Sequence, residues 1–463
     1  MVFDPELAEI RFGCGLAAQL AQPSDVAAML ARLQGPDVAA HTFAIPGLDT
    51  GLATAATFAK LRRAWRKSRE GKQASLAKQA FRKYRRHHVQ QQHLWFRQSL
   101  LRQCQTRDGF RERLVLFWAD HFTAQGKRAA LRPMGAPYVE SAIRPHLAGR
   151  FEDLLIAAVT SPLMLHYLDQ HRSIGPNSRA ARRRKGRGGL NENLAREVME
   201  LHTLGVDGPY GQQDVRQLAE LFTGLNFNAK KGFAFRGGQA EPGSETVLGV
   251  TYGADEGKAE LGPILQVLRD LAAHPATAAH LARKLAVHFT RDDPDPGLVA
   301  DLTESYIQSG GDLTRVYETL LQHPASWEPE LNNIKPPQDF VASACRGLGI
   351  GTGDLADWKA KQLRRVLVAP LGLMGQRWQA APGPDGWPEE DTAWITPQGL
   401  SARLRWAMAA PQKLRKDLPD PLRFAEQSLG QRADARVRFV AGAAETRAEA
   451  IGLILASPAF QRR

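Results

Sequence analysis

From Ala53 to Gln103 the chain contains one glycine, Gly71, and no proline. Alanine, leucine, lysine, arginine and glutamine dominate the stretch. These side chains lose little freedom in a helix, and none of them breaks one. A run this long exceeds an ordinary strand, which ends within about ten residues. The composition therefore predicts two long helices meeting at Gly71. Phe81, Tyr84, Leu94, Trp95 and Leu100 punctuate the second, over 77–101. It packs on the body through these side chains and shows arginine outward.

Most of the remaining chain reads the same way. Two short helices fit 5–34, with Ser24 or Asp25 as a cap before the second. Arg111 to Thr123, RERLVLFWADHFT, is apolar nearly all round a helical wheel, which predicts a buried helix carrying Asp120 and His121 inward. Two or three helices fit 133–168, one of them starting at Ser161-Pro162. Others are expected at 257–273, 276–289, 295–308, 312–322, 355–368, 398–409 and 444–456. Residues 171–189 have Pro/Gly breaks and no apolar period, and read as a basic loop. Strands are expected only near 232–252, where Phe233 and Phe235 alternate, Gly237-Gly238 signals a turn, and TVLGV is β-branched. The fold class is thus mainly α, a large multi-helix bundle with one small β-hairpin insertion. The expected organisation is an N-terminal helical region over 1–170, the loop 171–189, a central helical region over 190–347 and a C-terminal one over 348–463.

The net charge of +13 is concentrated. Lys60 to His88 holds twelve Lys or Arg against Glu70 alone, and Arg179 to Arg187 holds six with no acid. These two patches exceed the whole net charge, so the rest of the chain is slightly acidic. Such clusters attract phosphate, acidic polysaccharide or nucleic acid, although a solvated basic helix looks no different in sequence. Three scattered cysteines without a CxxC pair argue against a disulfide framework or a cysteine zinc site. No apolar run is long enough for a membrane span. The first residues show no secretory leader, so the expected location is cytoplasmic.

Candidate chemistry centres on GLNENLAREVMELHTLGVDGPYGQQDVRQLAELFTGLNF, residues 189–227. With Asn193 set at zero on a regular wheel, Arg196, Glu197 and Glu200 fall beside it in one polar stripe. Glu192–Arg196 and Arg196–Glu200 are i,i+4 pairs. An amphipathic helix with an ion-pair ladder on its wet side has the same pattern. His202 falls at the edge of the apolar side, where it would meet Asp120 and His121 in the interior. Two imidazoles and a carboxylate in a low dielectric are a setting for shifted pKa values. Glu197 and Glu200, with Asp120, His121 and His202, are therefore the catalytic candidates, and Asn193 and Arg196 the substrate-binding ones. No HExxH or paired ExxH supports a metal, whose identity and presence stay open, as do other cofactors. GxSxG and Walker loops are absent. His280, Lys284 and His288 read as a surface stripe, Lys335-Pro336-Pro337 as a turn, and Trp378, Trp387 and Trp394 as core plugs rather than sugar-stacking rings.

RFGCGL, LVLFWADHFT, MLHYLDQHRSIGPNS, the 189–227 run, HPATAAHLARKLAVHF, SGGDLTRVYETLL, KPPQDFVASACRGLG and PGPDGWPEEDTAWITPQGLSARLRWA together resemble the large bacterial family called domain of unknown function 1800. The resemblance covers about 7–458 and carries no established catalytic residues. It implies gene neighbours that look sulfatase-like, and exported relatives, which makes a periplasmic location by co-export the alternative. The expected function is that of a hydrolase acting on an anionic glycan or similar polymer through a carboxylate/histidine site. The alternatives are a non-catalytic binding or maturation partner of a sulfatase-like protein, and a metal-dependent enzyme. Nucleic-acid binding is disfavoured because Trp65, Phe81 and Tyr84 are too sparse for a stacking platform.

Overall fold

The computed structural model describes residues 3–68, 71–183, 189–228, 232–254 and 258–463. The chain is mainly α-helical, with two small antiparallel sheets among these residues. The long helical stretch forms α1 (Leu48–Lys67) and α2 (Lys72–Gln105). Gly71 joins them at φ 91, a left-handed conformation that a side chain would disfavour. Phe58, Trp65 and Phe81 stack between the two helices. The far end of α2, from Trp95 to Cys104, is buried in the body.

Helix α3 (Gly109–His121) is buried nearly all round, as its composition predicts. Its Trp118 stacks with Phe122 and Phe151 and donates a hydrogen bond to the Tyr317 hydroxyl. Burying each such ring contributes about 1.5–3 kcal/mol. Buried apolar residues from Leu7 to Phe460 join in one cluster around it. Arginines tie remote segments together inside this core. Arg346 donates to Gly15, Gln103 and Thr106 carbonyls and to Glu9. Arg144 pairs with both Glu112 and Asp37.

The central region supplies α4 (Asn193–Glu197), α5 (Gln212–Leu221) and α6 (Pro275–Phe289). Helix α4 does not continue regularly. Residues Val198–His202 form a π-turn, so the regular wheel drawn from Asn193 fails in its last turn. Between α5 and α6 the expected single hairpin is two. Strand β1 (Leu225–Asn228) pairs with β2 (Gly232–Phe235), and β3 (Ser244–Val247) with β4 (Val250–Gly253). Phe233 and Phe235 thus pair with Phe227 and Leu225 rather than with the TVLGV run. That run is itself folded in two. Leu248 (φ 51) and Gly249 (φ 78) make its turn, the positive-φ pair a two-residue hairpin requires. Leu248 is held in this unfavourable region because its N–H donates to Asp214 at 2.8 Å.

Other boundaries differ from the sequence reading. Arg179–Arg183 is a short helix within the expected basic loop, and 184–188 lies outside the described residues. The helix expected over 355–368 is broken: Thr352–Leu355, Ala360–Leu363, a π-turn Arg364–Val368 and Ala369–Leu373. Pro421–Leu429 and Ala435–Ala443, capped by Asp420 and Asp434, occupy a stretch where the pattern suggested no helix. No described helix is long and apolar enough to cross a membrane.

Candidate active site

The π-turn after α4 presents the Leu201 and His202 carbonyls to two imidazoles. His121 Nε2 donates to the His202 carbonyl at 3.2 Å, and His280 Nε2 donates to that of Leu201 at 3.2 Å. The unpaired carbonyls of a helix end accept both bonds. They also fix each ring's tautomer, and His121 Nδ1 is left buried without a partner. The His121 and His202 rings lie 5.9 Å apart, so the interior meeting expected from sequence occurs. Burial holds all three imidazoles neutral, taking His202 down to about 3 and His280 to about 4. His280, expected on a surface stripe, is half-buried, and His288 further along the same helix is buried.

Asp120 does not join that cluster. It turns instead toward the segment 383–391, where its carboxylate oxygens accept from the Trp387 N–H at 3.0 and 3.1 Å. Gly386 makes this approach available. Its φ is 84, and a Cβ there would stand 2.6 Å from Asp120 Oδ2. Three residues after Gly386, Glu389 accepts from His288 Nδ1 at 2.9 Å. That bond leaves His288 Nε2 buried and without a partner. Lys284 sits one turn before His288 on α6, among Glu389, Asp120 and Asp385, and forms no direct ion pair with them.

Asp120, His288, Glu389, Trp378, Trp387 and Trp394 line one cavity of about 150 Å³. Trp378 and Trp394 are buried, as core plugs would be, yet they also form its wall. The electrostatics separate the two acids. Burial, with Glu389 and Asp385 close by, raises Asp120 to about 8. Burial also pushes Glu389 up, but the His288 bond, Arg463 and Lys284 outweigh it and hold Glu389 below its ordinary value. Burial keeps His288 neutral. At neutral pH the residues lining the cavity therefore include a protonated carboxyl, an ionised carboxylate and a neutral imidazole.

Of the catalytic and substrate-binding candidates chosen from the sequence, Asp120 alone lines this cavity. His121 and His202 stand behind it in the core. Arg196 bonds Glu200 at 3.1 Å, Glu192 at 3.3 Å and Gln212 at 2.8 Å, which is the expected ladder plus one amide from α5. Asn193 is exposed. Glu197 is half-buried, and burial with Glu200 and Asp385 nearby raises it to about 7. Asp385 thus lies between the Glu197 stripe and the Asp120 cavity. Glu389, His288 and Lys284 were not chosen from sequence. The signal for Glu389 lay in GPDGWPEE, a Gly/Pro-rich run dense in acids and tryptophan, of the kind that carries function on loops. Lys335, expected only to precede a turn, is buried and donates to the Phe460 carbonyl at 2.7 Å. Among the described residues no group of three or more His, Cys, Asp or Glu is placed to hold a metal ion.

Fold and site together define a mainly α-helical protein that encloses a carboxylate–imidazole cavity walled by tryptophan. The chain matches the family described as Protein of unknown function (DUF1800) over residues 7–462, and it belongs to that family. No curated protein and no solved structure matches it.

Proposed function

We propose that the chain is a hydrolase that cleaves a C–O bond of an acidic glycan or similar polymer at this cavity. Asp120 is the proton donor, and His288, oriented by Glu389, is the base. The observation that carries the reading is the pairing of opposite protonation states on one small cavity: a raised carboxyl beside a carboxylate-held imidazole with a bare, buried nitrogen. Groups pushed apart in this way mark acid and base assignments. In the reaction His288 Nε2 takes a proton from water, and the water oxygen bonds to the carbon under attack. The C–O bond breaks, and Asp120 gives its proton to the leaving oxygen. One water is consumed, and solvent returns the two groups to their starting states. The tryptophan wall suits a sugar ring, whose faces stack on indole. The concentrated positive charge elsewhere supports an acidic polymer.

Turnover of a panel of acidic polysaccharides, read as new reducing ends, tests this. Asp120→Asn and His288→Gln should each lower turnover by about 10²–10⁴-fold. Full turnover in both would end the reading. Glu197, raised to about 7, is the other proton donor in the neighbourhood. Loss in Glu197→Gln with retention in Asp120→Asn would move the acid role to it.

A further inference from the structure

Helices α1 and α2 form an arm whose outer part serves no core. Between Lys72 and His87 only Phe81 is buried. The rings that hold the arm together face inward: Phe58 and Phe81 centroids lie 5.2 Å apart, as do those of Trp65 and Phe81. The cations face outward. At 100° per residue, Arg85, Lys78, Arg82, Arg86 and Lys83 cover an arc of roughly 160° on α2 that starts about 40° from Phe81 and runs away from His88. All five are exposed. Lys60, Arg63, Arg66 and Lys67 add exposed charge on α1. None of these cations forms an ion pair among the described residues. Such a concentration of like charge repels itself, and nothing in the described fold neutralises it.

We propose that this arm is a docking element for a sulfated or uronate-rich polysaccharide, a second site separate from the cavity. Arginine presents a planar fork that pairs with sulfate and carboxylate through two parallel hydrogen bonds. A nucleic acid would find no stacking platform, because the arm's aromatic rings are committed to each other. The arm is also joined to the cavity. Ser99, on the same helix, lines the cavity wall. Along the axis Arg86 lies about 20 Å from Ser99 and Lys72 about 40 Å, at 1.5 Å per residue. A flexible chain held on the arm can reach the cavity with one end, which a stiff duplex cannot enter. The choice of glycan over nucleic acid rests partly on the hydrolase reading, whereas the docking itself needs none of Asp120, His288 or Glu389.

The experiment measures binding of the full chain to immobilised heparin and to polygalacturonate across a salt series, with duplex DNA as competitor. The quadruple variant Arg82→Gln, Lys83→Gln, Arg85→Gln, Arg86→Gln removes exposed side chains without disturbing the Phe58–Trp65–Phe81 stack. It should weaken binding by at least about tenfold and flatten its salt dependence. A second variant, Lys60→Gln, Arg63→Gln, Arg66→Gln, tests the α1 side and should also weaken binding. His288→Gln should bind like the wild type even as it loses turnover, so the two readings fail separately. Absence of binding to both polysaccharides, unchanged affinity in both arm variants, or displacement by DNA at equal charge concentration would overturn the proposal.

Discussion

Replacing Asp120 by asparagine should stabilise the protein at alkaline pH while lowering turnover by about 10²–10⁴-fold. The carboxyl has an ordinary value of 3.8 and stands at about 8 in the folded chain, chiefly through burial. Between these values the folded state holds a proton that the unfolded state has released. Stability therefore falls as pH rises through the window and levels off above about 8. The whole gap would correspond to about 6 kcal/mol. Solvent reaches the cavity mouth and Lys284 lies near, so about 2–3 kcal/mol is the realistic share. Asparagine keeps the oxygen that accepts from Trp387 N–H and cannot ionise. Urea unfolding of both proteins from about pH 5 to about pH 9 reads the effect directly. The curves should lie close at the acid end and diverge with rising pH, the variant above. Parallel curves, or a variant weaker at every pH, would show that Asp120 ionises without cost and would remove it as a proton donor at neutral pH.

Three further outcomes are expected. Arg346→Met strips five hydrogen bonds from a buried guanidinium and leaves Glu9 uncompensated, so the denaturant midpoint should fall by the equivalent of about 4 kcal/mol or more. Gly386→Ala places a Cβ against Asp120 at positive φ; turnover should collapse, with an unfolding free energy lower by only about 1–3 kcal/mol. Glu245, buried on β3, is raised to about 8 by burial and by Glu220, so its folded form resists ionisation. Glu245→Gln should raise the melting temperature at about pH 9 and leave it nearly unchanged near pH 5, and the reverse pattern would show that burial and Glu220 do not oppose its ionisation.

The α class was legible because long helical composition is a local property. The segment 53–103 broke at Gly71 as expected, and Arg111 to Thr123 was buried as its wheel requires. The failures have physical causes of two kinds. Some are local geometry that a regular period conceals. The π-turn at Val198–His202 swings His202 fully inward, and the Leu248-Gly249 turn hides inside a β-branched run. Others are tertiary. Nothing within PATAAHLARKLAVHF says that His288 faces a glutamate 101 residues later, so that stripe reads as surface. The meeting of His121 and His202 could be anticipated because both lie on apolar helix faces. The turning of Asp120 toward Trp387 could not, because it depends on where a loop returns to the core.

That loop explains how the cavity holds together. The Gln125 side chain donates to the Ala381 carbonyl, Trp387 N–H to Asp120, His288 to Glu389, and Ile334 N–H to Asp391. Two of these four anchors are the groups assigned to proton transfer. The wall of the cavity is thus held by the acid and base it would use. Ionising Asp120 strengthens its hold on the Trp387 N–H but brings a negative charge beside Glu389, so the two effects oppose each other across the same few bonds. On the proposed reading, a substitution that removes this ionisation gains stability at alkaline pH by giving up the proton used in cleavage, the exchange expected where a polar centre is functional.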